Sequence, residues 1–216
     1  MESESTHTSA EGESPPPFEL PPLDEGAVLA PGDYLIELEL SGRIATSALK
    51  EGLARLGFEE AAFDVPPRAA HVPPGIVQVT GRLIHSLAIR NTPRLHWLTA
   101  RRLTVDLAAP LRLTLEPFEL TSEHVYEVRF LTRMLTKKGL EHYGRTSNDP
   151  VRAFVTEKLA EGGWEPIALT VLRPDVRVDD QPHASMTLWF GILRWTGPDT
   201  FVTDDEPFHF EDITPA

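Results

Sequence analysis

Hydrophobic and polar positions alternate in two series along this chain, and the first series predicts a strand, a helix and two strands. Between residues 34 and 40, Glu37 and Glu39 alternate with apolar neighbours, which is the two-residue period of a strand with one wet face. Residues 44–56 carry apolar side chains near a 3.6-residue spacing, and this predicts a helix that Gly57 ends. The next two predicted strands span residues 58–65 and 75–90.

The second series repeats this order further along the chain. A strand is predicted at residues 124–133 and a helix at 151–161, with Pro150 at its first position and Asn148 or Asp149 as its cap. Strands then follow at residues 165–178, 185–196 and 201–210.

The joins between helix and strand are similar in the two series. Leu-Ala-Arg-Leu-Gly-Phe-Glu at 53–59 returns loosely as Leu-Ala-Glu-Gly-Gly-Trp-Glu at 159–165, and Gly81 and Gly191 fall within corresponding strands. We therefore predict an α+β fold of two ferredoxin-like βαββ halves, arising by internal duplication. The halves span residues 32–120 and 121–216, after an extended N-terminal arm at 1–31. We expect their sheets side by side, with the helices on one face.

One predicted hairpin concentrates positive charge. Residues 75–90 and 95–107 read as paired strands around a turn at 91–94. No Asp or Glu occurs from Val65 to Val105, while six arginines do: Arg68, Arg82, Arg90, Arg94, Arg101 and Arg102. Such a face could bind phosphate or carboxylate groups, or it could meet the acidic ends of this same chain.

The ends of the chain are acidic. Formal net charge is -13, and neither residues 1–42 nor residues 195–216 contain Lys or Arg. Because a strongly negative protein repels a polyanion, we expect no nucleic acid partner. The acidic C-terminal stretch, which includes Asp204 and Asp205, is suited instead to a basic protein.

Catalytic and cofactor motifs are missing from the sequence. Cysteine is absent, and no Walker A loop, GxGxxG, GxSxG or HExxH pattern occurs. The Asp179–Asp180–Gln181–Pro182–His183 stretch resembles a polar turn more than a cation site. We therefore expect no cofactor, no metal and no catalytic residue. The polar N-terminus and the short apolar runs predict a soluble, cytoplasmic protein without a membrane span, and the composition suggests a bacterial source.

These observations favour a non-enzymatic role in protein–protein interaction or assembly. The N-terminal arm is proline-rich and carries three apolar side chains that could dock on a partner or on the protein itself: Phe18, Leu20 and Leu23. With Arg82, Arg90, Arg101, Arg102, Asp204 and Asp205, these form the predicted contact residues. Two alternatives stay open. One is an acidic immunity or inhibitor protein against a basic toxin, and the other is an enzyme or small-ligand binder that holds an anion in a cleft between the halves.

Overall fold

The computed structural model describes residues 18, 20–65, 69–107, 118–133, 149–178, 181–202 and 209–215. At residues 174–178 and 181–185 the structure describes the backbone. The predicted contact residues Asp204 and Asp205 lie outside the described residues.

The first half is built on a four-stranded antiparallel sheet. Its elements are β1 (Val28–Leu29), β2 (Gly32–Leu40), β3 (Ile44–Ala45), α1 (Thr46–Arg55), β4 (Phe58–Phe63), β5 (His71–Val72), β6 (Gly75–Leu83), β7 (Leu87–Ala88) and β8 (Leu95–Arg102). The strand order in the sheet is β4, β6, β2, β8. Strand β1 pairs with β7, and β3 pairs with β5. The helix begins two residues later than predicted because Ile44 and Ala45 pair with β5 instead.

The second half contains a sheet of the same kind. Its elements are β9 (Phe118–Leu120), β10 (Val125–Arg133), α2 (Pro150–Glu161), β11 (Trp164–Val178), β12 (Gln181–Trp195), β13 (Thr200–Val202) and β14 (His209–Asp212). The strand order is β11, β12, β10, β14, and β9 pairs with β13. The predicted cap is confirmed, since the Asp149 side chain accepts a hydrogen bond from the Arg152 N–H at 3.1 Å and Pro150 begins the helix.

Both halves follow one chain path. Apart from the β3–β5 pair of the first half, each begins with a short strand, continues through a central strand, a helix, an edge strand and a second central strand, and ends with a short strand and the other edge strand. The two short strands pair with each other in each half, β1 with β7 and β9 with β13. We call each such pair the ribbon of its half. The ribbon residues Leu29 and Leu120 both belong to the core of their own half.

The two helix-to-strand joins are also alike. Gly57 and Gly163 follow their helices at φ values of +95° and +87°, a conformation that glycine adopts without strain. Gly81 faces a bulge in the neighbouring edge strand β4, whereas Gly191 pairs in regular register with Leu169 of β11. A Cβ atom on Gly81 would lie 3.3 Å from Cα of Ala61, which belongs to the bulge. Gly81 thus permits the close backbone approach that this bulge requires.

The two sheets pack face to face, so the predicted side-by-side arrangement is wrong. Helix α1 covers the outer face of the first sheet with Leu49 and Leu53, and α2 covers that of the second with Val155. On the opposite faces, Leu35 packs in one cluster with Phe190 and Ile192. Buried Thr80 donates a hydrogen bond to Thr170 across the same interface, at 3.2 Å. The helices therefore lie on two outer surfaces rather than on one face.

The predicted arginine hairpin is likewise wrong. Strand β2 separates β6 from β8, because Ile36 pairs with Val79 on one side and Ala100 on the other. Leu35 and Ile36, which point to opposite faces of β2, are both completely buried, and a strand buried on both faces takes a central place in the sheet. Residues 84–90 leave the sheet after β6. They include β7, which pairs with β1 in the ribbon. Among the described residues, no helix is long and apolar enough to cross a bilayer.

Candidate functional site

Two of the predicted contact arginines point into the interface between the halves. Arg82 donates from Nε and one terminal nitrogen to the two carboxylate oxygens of Asp33, at 2.8 and 2.9 Å, and it also pairs with Asp106. Asp33 is buried, and it also accepts a hydrogen bond from the Leu107 N–H at 2.9 Å. The hydrogen bonds to Asp33 raise the pKa of Arg82 above its ordinary value. This guanidinium is therefore held by carboxylates of its own chain.

Glu127 on β10 anchors the segment that follows β8. Its side chain is completely buried, and one carboxylate oxygen accepts hydrogen bonds from the Thr104 N–H at 2.7 Å, the Thr104 hydroxyl at 2.8 Å and the Val105 N–H at 3.1 Å. The other oxygen accepts from Nε of Arg101 at 3.4 Å. A carboxylate of the second half thus binds backbone and side-chain donors of the first half.

The remaining predicted arginines face outward. Arg90 and Arg102 are exposed, and Arg102 lies against Gly32, where an added Cβ would approach its Nε to 2.9 Å. The continuous cationic face that the sequence suggested is not formed by the described residues. The absence of Asp and Glu from Val65 to Val105 suggested an unpaired cationic face. The carboxylates that pair with its arginines come from elsewhere in the chain, from β2, from β10 and from the segment after β8.

A small cleft does open between the halves. It has a volume of about 100 Å³ and is lined by residues that include Glu59, Glu60, Arg82 and Arg173. Arg173 donates to Glu60 at 2.7 Å, and Arg82 is bound to Asp33 and Asp106. Both guanidinium groups of the cleft therefore already bind carboxylates, which leaves an incoming anion in competition with them.

The N-terminal arm lies along the outer edge of β8. The Leu23 N–H donates to the Leu98 carbonyl at 2.9 Å, and the Ala100 N–H donates to the Pro21 carbonyl at 3.3 Å. The Arg101 guanidinium lies 4.9 Å from the centre of the Phe18 ring. The three apolar side chains of the arm pack on this chain: Phe18 and Leu20 in the cluster between the sheets, and Leu23 in the core of the first half.

The equivalent edge of the second sheet is β14. Ile213 N–H donates to the Val125 carbonyl at 2.8 Å, so by antiparallel alternation the N–H groups of Phe210 and Asp212 point away from β10. Within the described part of the chain, no strand pairs with β14 on that side. Glu211 and Asp212 are both exposed there. Among the described residues, strand β14 is therefore an acidic edge with no strand on its outer side.

Asp212 also fixes the end of this edge. It binds His124 Nδ1 at 2.7 Å and accepts hydrogen bonds from the Thr214 hydroxyl at 2.6 Å and the Thr214 N–H at 2.9 Å. Burial alone would raise the pKa of Asp212. The hydrogen bonds from Thr214 and His124 outweigh that effect and hold the pKa below its ordinary value.

We expect Asp212→Asn to make the protein less sensitive to acid. Because the folded-state pKa of Asp212 lies below its unfolded value, its ionisation stabilises the fold above about pH 4, and this contribution is lost as pH falls through the folded pKa. Thermal unfolding between pH 2 and pH 7 should show the largest difference from wild type at neutral pH and a smaller difference in acid. Glu157→Gln, on the exposed surface of α2, serves as control. A difference that stays constant with pH would contradict this assignment.

No group of three or more histidine or carboxylate side chains that could hold a metal ion occurs in the described ranges. No family model matches the chain, and no curated protein matches it. A solved structure that it resembles is that of the CRISPR endoribonuclease Cse3 bound to a 19-nucleotide RNA. The two are 14% identical over 77% of this chain and 86% of that one, with a TM-score of 0.27. At that TM-score the resemblance carries no argument about this protein.

Proposed function

We propose that this protein is a non-enzymatic protein–protein interaction component that receives an extended, basic segment of another protein along β14. The observation that carries the proposal is the difference between two equivalent edges. Strand β8 is covered by the N-terminal arm, whereas the outer side of β14 is open within the described residues. An open strand edge presents unpaired backbone donors and acceptors, which an added strand satisfies.

The covered edge suggests what kind of segment the open edge takes. The arm on β8 is extended and proline-rich and uses a few backbone hydrogen bonds together with apolar side chains. A second copy of this arm is a poor occupant of β14, because the arm carries acidic residues such as Glu19, Asp24 and Glu25 and contains no Lys or Arg. Glu211 and Asp212 favour a partner segment with Lys or Arg.

An inhibitor of a basic toxin would use the same edge, and it is the second candidate that this observation favours. The anion-binding enzyme has less support, because the guanidinium groups of the cleft between the halves are bound to Asp33, Asp106 and Glu60. The β14 edge also leaves room for self-association, which the experiment below distinguishes from a foreign partner.

We further infer that the two halves arose by duplication of one ferredoxin-like unit. This inference is supported by the identical strand orders, the two ribbons, and the paired glycines Gly57 and Gly163. In each half the ribbon would occupy the place of a second helix. The copies would then have diverged at their edges, one covered by the arm and one open and acidic.

Binding at β14 can be measured with a fluorescein-labelled peptide that alternates valine with lysine. Fluorescence anisotropy should show saturable binding that weakens as salt rises. Glu211→Lys should weaken that binding about tenfold or more, because it reverses a charge beside the added strand. Glu157→Lys is the matched control, since it makes the same change of net charge on the exposed surface of α2.

If Glu211→Lys and Glu157→Lys weaken peptide binding equally, the peptide responds only to the net charge of the protein, which contradicts the proposal. A wild-type protein that binds no basic peptide would also contradict it. Light scattering of the protein alone tests the other occupant. If the mass rises with protein concentration, and if Glu211→Lys restores the monomer mass, the occupant of β14 is a second copy of this chain and not another protein.

A further inference from the structure

The outer face of the second sheet contains a cavity of about 220 Å³. It lies between α2, the ribbon formed by β9 and β13, and the sheet itself. Leu159 lines it from the helix, Val202 from the ribbon, and Phe130, Trp164, Trp195 and Phe210 from the sheet. None of its lining residues carries a charge. This apolar, aromatic cavity is separate from the acidic backbone edge of β14.

The first half shows that the fold does not require an opening at this place. Its ribbon, helix and sheet meet through Leu29, Leu53 and Phe58, which are 8%, 1% and 2% exposed. The Phe58 ring stacks on Trp97, with centroids 6.1 Å apart. In the second half the helix, the ribbon and the sheet pack less closely, since Leu159, Trp164 and Val202 are only partly buried. The same architecture thus closes in one copy and stays open in the other.

We propose that this cavity binds a small, neutral aromatic molecule. A cavity of about 150 Å³ lined by apolar side chains holds benzene, so the larger volume here suits a two-ring compound of indole size. The aromatic walls offer edge and face contacts, as the Trp164 and Trp195 rings already make with each other at 4.9 Å.

The polar groups around the cavity also favour a neutral ligand. Trp195 Nε1–H already donates to the Pro198 carbonyl at 2.9 Å, and the Tyr126 hydroxyl beneath the cluster already accepts from the Thr121 N–H at 2.8 Å. Thr200 lines the cavity and is exposed, so its hydroxyl is available to a single polar atom of the ligand. A charged ligand would lose its hydration without gaining a counter-charge in the lining.

Indole is the probe that tests this proposal, in the full-length protein. Nuclear magnetic resonance should show saturable shifts of the Trp164 and Trp195 ring N–H signals, with half-saturation on the order of 1 mM or below. The Trp97 ring signal in the first half should not move, and it serves as an internal control. Indole should also raise the melting temperature, because it binds only the folded state.

Filling the cavity should abolish the effect. Leu159→Trp places a larger ring into the space, while Ala160→Trp adds the same ring at the next, exposed position of α2. We expect indole shifts to disappear in the first variant and to persist in the second. Val202→Phe fills the cavity from the ribbon and replaces Leu159→Trp if that variant does not fold. Absence of indole shifts in wild type, or their survival in a folded filled variant, would overturn the proposal.

Discussion

Glu127→Ala should lower the free energy of unfolding by about 3–5 kcal/mol, the range for breaking a buried, paired charge. The substitution removes the acceptor for the N–H groups of Thr104 and Val105 and for the Thr104 hydroxyl, and it leaves the partly buried Arg101 without its carboxylate. Unsatisfied buried donors account for most of the expected loss. Urea denaturation followed by circular dichroism measures the change.

Glu165→Ala is the matched control for this prediction. Glu165 also pairs with an arginine, Arg194 at 2.9 Å, but its side chain is 56% exposed. Exposed ion pairs contribute about 0–1 kcal/mol, so this variant should unfold close to wild type. If Glu127→Ala cost no more than Glu165→Ala, the buried carboxylate would not hold the halves together as described.

Phe190→Ala should cost about 3–5 kcal/mol as well, but for an apolar reason. Phe190 is completely buried on the inner face of β12, in the cluster that joins Leu35 of the first sheet to the second. Removing the ring deletes apolar burial and leaves a cavity between two sheets that are held in place by other contacts. Because the cavity lies between the halves, the loss should lower the stability of both.

Tryptophan fluorescence can follow the two halves separately in this variant. Trp97 reports on the first half, while Trp164, Trp189 and Trp195 report on the second. Phe201→Ala is the control, because Phe201 is 64% exposed and its removal should change stability by less than about 0.5 kcal/mol. Unfolding midpoints that shift for the second half alone would contradict face-to-face packing of the sheets.

Local signals in the sequence predicted the elements of the fold well. The helix that Pro150 begins and the two glycines after the helices depend on residues close in sequence, where chain geometry decides the outcome. The alternation of Glu37 and Glu39 likewise predicted a strand, but the wet face that it indicated is wrong, because Leu35 on that face is completely buried between the sheets.

Strand neighbours and charge partners could not be predicted in the same way. The hairpin was inferred from the nearness of β6 and β8 in sequence, yet strand pairing depends on which strand is buried on both faces. Asp33 pairs with Arg82, 49 positions away, and Glu127 pairs with Arg101, 26 positions away. A single sequence contains no signal for such distant pairs.

The candidate sites differ in how far the sequence indicated them. The acidity of the C-terminal stretch was evident, and it led to Asp204 and Asp205, which lie outside the described residues, rather than to Glu211 and Asp212. The cavity in the second half was not predicted. Its walls come from a helix, a ribbon and a sheet, and they meet only in the folded chain.

Amide hydrogen exchange of β14 tests the proposed partner-binding edge most directly. In the free protein, the outward N–H group of Asp212 should exchange faster than that of Glu211, which faces β10. Adding the valine–lysine peptide should slow exchange at Asp212 and leave the amides of β8 unchanged. Saturating peptide that gives no protection at Asp212 would contradict the proposal that β14 receives a partner strand.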